Sequence, residues 1–185
     1  MKFEPTGIEG AFVVHVEARD DERGFFARAY CADEFRANGI ELPIAQCSIS
    51  FNRIAGTLRG LHYQAKPHEE TKLVRCTRGA IFDVVLDVRR GSTTYLQWRS
   101  IELSGDNRRM LVVPPGCAHG FQSLVDACEV FYQISVPYQP ESARGLRWDD
   151  PAFAIPWPIK TPLLSQADRS HPLLHPQPQD REESP

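Results

Sequence analysis

Gly56-Thr57-Leu58-Arg59-Gly60-Leu61-His62-Tyr63-Gln64 places a cation, an imidazole and a phenol within a few residues, with two glycines flanking the cation. A strand-rich run follows it. On an extended strand, residues i and i+2 share a face. His62 and Gln64 are therefore expected on one face, and Leu61 and Tyr63 on the other. An imidazole on an otherwise apolar inner face is either a satisfied core histidine or part of a site, and this stretch alone leaves both open.

Working outward, strand patterns recur at short, even intervals. Candidates are 45–50, 72–77, 80–87, 95–103, 110–113, 119–124 and 129–136. Arg78-Gly79, Arg90-Gly91-Ser92, Ser104-Gly105-Asp106-Asn107 and Pro114-Pro115-Gly116 separate them as turns. Many short strands with such punctuation predict an all-β sandwich or barrel. The run 81–88 is almost wholly apolar and reads as a central strand. Residues 1–16 supply a strand or a strand pair. A turn at 20–24 precedes a strand-like segment at 25–30. A short helix over 32–38 is capped by Gly39. After Tyr138, proline and tryptophan enrichment predicts an ordered wrap of loops with some helix.

The chain has 185 residues and 42% hydrophobic content, enough for one domain with a sizeable core, expected over 1–172. Residues 173–185 lack core formers and are expected to be a disordered tail. A net charge of −3 gives no global basic field for nucleic acid or membrane. Five scattered cysteines, with no CxxC pair, suit a reducing compartment. No signal peptide or membrane-length apolar run is evident, so a cytoplasmic location is expected.

Pro114-Pro115-Gly116-Cys117-Ala118-His119 fits P-x-G-x-x-H, which resembles the second motif of cupins, small jelly rolls. The first cupin motif carries H-x-H followed by glutamate and holds a metal. Here its place is taken by His62-Tyr63-Gln64. A neutral amide is a weak ligand for transition metals, which leaves His62, His119 and Glu69 or Glu70 as remnants of such a set. A metal-free site suggests proton transfer. His62 would be the base, Asp83, Asp87 or Asp168 its carboxylate partner, Lys72 the enolate donor and Tyr132 the acid. Each has a plain alternative. His62 and Tyr132 also suit core positions, and Arg23, Arg28, Arg59, Lys72 and Arg75 also suit solvated surface.

Longer blocks narrow this. The runs at 56–64, 72–84 (K-L-V-R-C-x-R-G-A-I-F-D-V), 114–121, 131–133 and 148–158 (W-D-D-P…I-P-W-P) closely resemble the dTDP-4-dehydrorhamnose 3,5-epimerase family, over about residues 3 to 170. The resemblance implies a cupin-type jelly roll without metal or organic cofactor. It also implies a homodimer with N-terminal strand exchange, acting on a nucleotide-diphosphate sugar, dTDP-linked first. His62 takes the place of the proton-abstracting base, Asp168 its partner and Tyr132 the proton donor. Lys72 and His119 line the sugar pocket, and Arg23 and Arg59 bind the diphosphate. Phe26, Arg28, Gln46, Ser48 and Tyr138 complete the substrate-binding set.

The sequence departs from that pattern at Arg28, where the family has glutamate, and at Ser48, Ala143 and Ala167. The segment between Gln46 and Gly56 is one residue longer. An epimerase with altered sugar or nucleotide preference, acting at C3, C5 or both, is therefore expected. A metal-dependent cupin enzyme and a catalytically silent sugar-nucleotide binder are the alternatives.

Overall fold

The computed structural model describes residues 1–174. In chain order the elements are β1 (Lys2–Pro5), β2 (Phe12–His15), β3 (Arg19–Asp21), β4 (Gly24–Phe26), α1 (Ala32–Ala37), β5 (Gln46–Asn52), β6 (Leu58–Gln64) and β7 (Lys72–Arg78). They continue with β8 (Ala80–Asp87), β9 (Trp98–Ser104), β10 (Met110–Val113), β11 (Cys117–Ser123), β12 (Cys128–Ile134), β13 (Ala143–Gly145) and α2 (Gln166–Ser170). One sheet runs β1-β2-β10-β7-β12-β5, the other β13-β6-β11-β8-β9, and β3-β4 forms a separate hairpin. Together the two large sheets make an antiparallel jelly-roll sandwich.

Side-chain alternation explains three apolar layers. On β8, Ile81 and Val85 point between the sheets, where they meet Val74, Leu111, Phe121 and Val130. Val84 and Leu86 point outward, under a cover of Leu146, Phe153, Ile155 and Trp157 from the C-terminal wrap. Apart from Asp83 and Asp87 that strand is apolar, because both of its faces are covered. The other sheet repeats the pattern: Leu111 and Val113 face the inner layer, while Met110 and Val112 face Phe35, Ile40 and Leu42 around α1. Trp98 of β9 and Trp157 of the wrap keep their indole N–H groups satisfied, Trp98 on the Phe153 carbonyl at 2.7 Å and Trp157 on the Trp148 carbonyl at 2.8 Å.

Several sequence expectations shift at their edges. The segment expected to be extended through Tyr30 leaves the strand after Phe26. Tyr30 instead packs on Phe35 and donates its hydroxyl to the Leu42 carbonyl at 2.6 Å, anchoring the entry to α1. β9 starts at Trp98, because residues 92–97 are spent on turns around Asp87. The wrap contains a strand that composition hid: β13 pairs with β6 along Ala143↔Gln64 and Gly145↔His62. Leu174 packs on the wrap and donates its N–H to Asp150 Oδ2 at 2.5 Å. The expected tail lies, from residue 175 on, outside the described residues.

Candidate active site

The inner apolar layer stops short of one end of the sandwich, where polar side chains from both sheets surround a cavity of about 940 Å³. That volume suits a small-molecule ligand. One wall comes from β6 and β11, with Arg59, His62, Gln64 and His119. The facing wall comes from β5, β7 and β12, with Gln46, Ser48, Ser50, Lys72 and Tyr132. The pairings Tyr132↔Ser48 and Ile134↔Gln46 put these residues on one face of their sheet.

Arg59 and His62 lie three residues apart and would face opposite ways on a regular strand. Between them β6 carries one residue more than its partner: His119 pairs with His62, while Phe121, two residues on, pairs with Arg59. This bulge turns both side chains into the cavity. The crossing is tight. A Cβ on Gly60 would lie 2.6 Å from the Gly120 Cα, so both strands need glycine there.

His62 Nε2 stands 2.6 Å from Asp168 Oδ1. Burial raises the Asp168 carboxyl, but the hydrogen bonds from His62 and Ser165 outweigh it and hold the group below its ordinary range. An ionised carboxylate only accepts, so the His62 proton sits on Nε2 and the lone pair on Nδ1. Ser165 caps α2: it donates its hydroxyl to Asp168 Oδ2 at 2.8 Å and accepts the Asp168 N–H at 3.0 Å.

Asp83, one of the open choices for the His62 partner, belongs to a second pair. It lies 2.8 Å from His119 Nε2, at 0% exposure. Burial raises its carboxyl, against the opposing pull of His119. Asp87 is used structurally, accepting from Arg89, Ser92 and Thr94. The Tyr132 ring meets His119 edge-on, with centroids 6.0 Å apart. Burial, reinforced by Asp83 and opposed by Arg59, pushes its phenol well above the usual range. Tyr132 therefore stays protonated at neutral pH and can donate.

Lys72 reaches Glu70 Oε1 at 2.9 Å and donates to the His62 carbonyl at 3.2 Å. Gln64 is not free to ligate: its amide donates to the His68 carbonyl at 2.9 Å and its oxygen accepts the Gln139 N–H at 2.6 Å. Arg59 is braced by Asn52 Oδ1 at 2.8 Å.

A family model described as dTDP-4-dehydrorhamnose 3,5-epimerase matches residues 5–176. The chain belongs to that family. A dTDP-4-dehydrorhamnose 3,5-epimerase of Sinorhizobium fredii is 43% identical over 175 residues, covering 94% of this chain and 90% of that one. A dTDP-4-dehydrorhamnose 3-epimerase of Streptomyces niveus is 40% identical, covering 94% and 84%. The crystal structure of a dTDP-4-dehydrorhamnose 3,5-epimerase from Bacillus anthracis, with TDP and PPi bound, superposes with a TM-score of 0.91 at 40% identity, covering 94% and 99%.

Not every expected epimerase residue reaches this cavity. Arg23 is paired with Asp21 at 2.5 Å, Arg28 with Glu34 at 2.9 Å, and Phe26 is 75% exposed. None of the three lines the cavity of its own chain. Tyr138 does line it, at the rim, as do Ala143 and Ala167. Sequence reasoning missed four contributors: Glu70 as the partner of Lys72, Asn52 as the brace of Arg59, Ser165, and His171. Ser165 had a readable signal, since Ser165-x-x-Asp168 is a helix-capping pattern. His171 had none.

Proposed function

We propose that the protein epimerises a nucleotide-diphosphate-linked 4-keto-6-deoxyhexose, dTDP-linked first, at C3, C5 or both. The observation that carries this reading is a histidine–aspartate dyad and a protonated phenol on opposite walls of one cavity. His62 Nδ1 takes the proton alpha to the C4 ketone, and Asp168 stabilises the imidazolium that forms. Lys72 and His119 face the developing enolate oxygen. Tyr132 returns a proton from the other sheet, on the other face of the sugar, which inverts the carbon. Arg59 holds the diphosphate through its guanidinium fork. Ser48, Ala143 and Ala167 line the same cavity and set which sugar and base are held. The proton transfers need side chains only.

The test is deuterium exchange. In deuterated water, protein given dTDP-4-keto-6-deoxyglucose should take deuterium into C3 or C5, and His62→Ala should abolish this. Absence of exchange across dTDP-, CDP-, GDP- and UDP-linked 4-ketosugars would overturn the reading.

The working unit is a homodimer in which the N-terminal β3-β4 hairpin crosses to the partner. Every residue of Arg19–Phe26 is exposed, including Phe25 and Phe26. Edge strand β5 leaves Ile49 65% and Phe51 46% exposed, an apolar face that a second copy would cover. Sedimentation at micromolar concentration should give twice the chain mass, and Phe26→Ala should weaken substrate binding. A monomer with full activity would refute this arrangement. All five cysteines are free, which fits a cytoplasmic setting. No helix among the described residues is long and apolar enough to cross a membrane.

A further inference from the structure

The proton transfers above use one imidazole on Asp168, yet two stand beside it. His171 follows α2 and brings its Nε2 to 3.7 Å from Asp168 Oδ1, with its ring edge-on to His62 at 5.6 Å between centroids. That nitrogen is buried and has no hydrogen-bond partner among the described residues. The ring lies flush on the β13 backbone: a Cβ on Gly145 would fall 2.2 Å from it. The ligating atoms of His62, Asp168 and His171 all lie within 4.8 Å of one another.

We propose that His62, Asp168 and His171 form a divalent transition-metal site, and that an ion bound there switches the epimerase off. Two imidazoles and a carboxylate are a favoured donor set for zinc and its neighbours. Bonds of about 2.0–2.1 Å in a tetrahedron separate the donor atoms by roughly 3.4 Å. His171 at 3.7 Å from the carboxylate is near that already, and His62 at 2.6 Å must retreat by about 0.8 Å to meet it. Ser165 holds Asp168 Oδ2, leaving Oδ1 for the ion, the outer support that metal carboxylates usually have. His62 is half exposed to the cavity, which leaves the fourth position to water.

Loss of activity follows from the proton count. An ion on His62 Nε2 displaces the proton there to Nδ1. The ring stays neutral, but the lone pair that takes the substrate proton is gone. This step rests on the proposed role of His62, whereas binding of the ion does not.

Untagged, metal-stripped protein titrated with Zn²⁺ in a calorimeter should take up one ion per chain. His171→Ala should bind it at least tenfold more weakly. Gly145→Ala expels the same ring from the neighbouring strand and should do likewise, which covers failure of either variant to fold. The zinc concentration that halves deuterium exchange should rise by the same factor in both. Wild-type zinc affinity in the folded variants, or no stoichiometric uptake by the wild type, overturns the site. Zinc uptake with exchange unaffected overturns the switch. If the metal-free protein exchanges no substrate at all, the epimerase reading fails while the zinc titration still decides the site.

Discussion

Replacing Asp168 by asparagine tests the dyad most directly, because it removes a charge and keeps the shape. In the wild type, Asp168 Oδ1 lies 2.6 Å from His62 Nε2, and its side chain is only 6% exposed. Once His62 is protonated, two unit charges about 4 Å apart attract by about 4 kcal/mol at an effective dielectric near 20. His62 is 46% exposed, so solvent screening reduces this to about 2–3 kcal/mol. At 1.36 kcal/mol per decade, Asp168→Asn should slow deuterium exchange roughly 30- to 150-fold. Affinity for TDP should be unchanged, because Asp168 acts through His62. The variant should also reveal a pH signature. The folded carboxyl is held below its ordinary value, so its stabilisation is fully present above about pH 4 and is lost as the pH falls through the folded value. The gap in urea midpoint between wild type and variant should be widest near neutrality and close in acid. A variant exchanging within fivefold of wild type at pH 7 would refute the dyad.

Tyr132→Phe should leave wash-in of deuterium from the His62 side and cut net epimerisation by about 10²–10⁴-fold, the usual worth of a general acid; equal loss of both would make Tyr132 structural. Arg59→Ala should weaken TDP binding roughly 10- to 150-fold by calorimetry, since hydrogen bonds to charged groups contribute about 1.5–3 kcal/mol, and a change under threefold would place the diphosphate elsewhere. Gly60→Ala forces a Cβ to 2.6 Å from the Gly120 Cα, so overpacking of about 1–3 kcal/mol should lower Tm by about 2–12 °C. An unchanged melting curve would show that the two strands can part without cost.

Much of the framework was readable locally. Strand positions follow from period-two alternation and from turn residues, both set by backbone geometry within a few residues. β7, β8 and β10 start where the pattern said. The face parity of His62 and Gln64 against Leu61 and Tyr63 held as well, because no bulge intervenes between 61 and 64. Motif resemblance supplied the family, and with it His62, Tyr132 and Asp168 as a set. Which aspartate serves which histidine was open from composition: Asp168 is 106 residues from His62, and Asp83 is 36 from His119. Only the packing of two sheets and a terminal wrap decides such pairs, since no local rule reaches that far.

The same limit applies to Arg59, which strand periodicity turns away from the cavity and the β6 bulge turns into it. It applies to Arg23 and Phe26 on the β3-β4 hairpin and to Arg28 just after it, none of which lines the cavity of its own chain. His171 marks the boundary most clearly. In the sequence it is one histidine in a polar stretch three residues after Asp168. In the fold, the missing Cβ of Gly145 on a strand that composition concealed lets its ring settle beside His62.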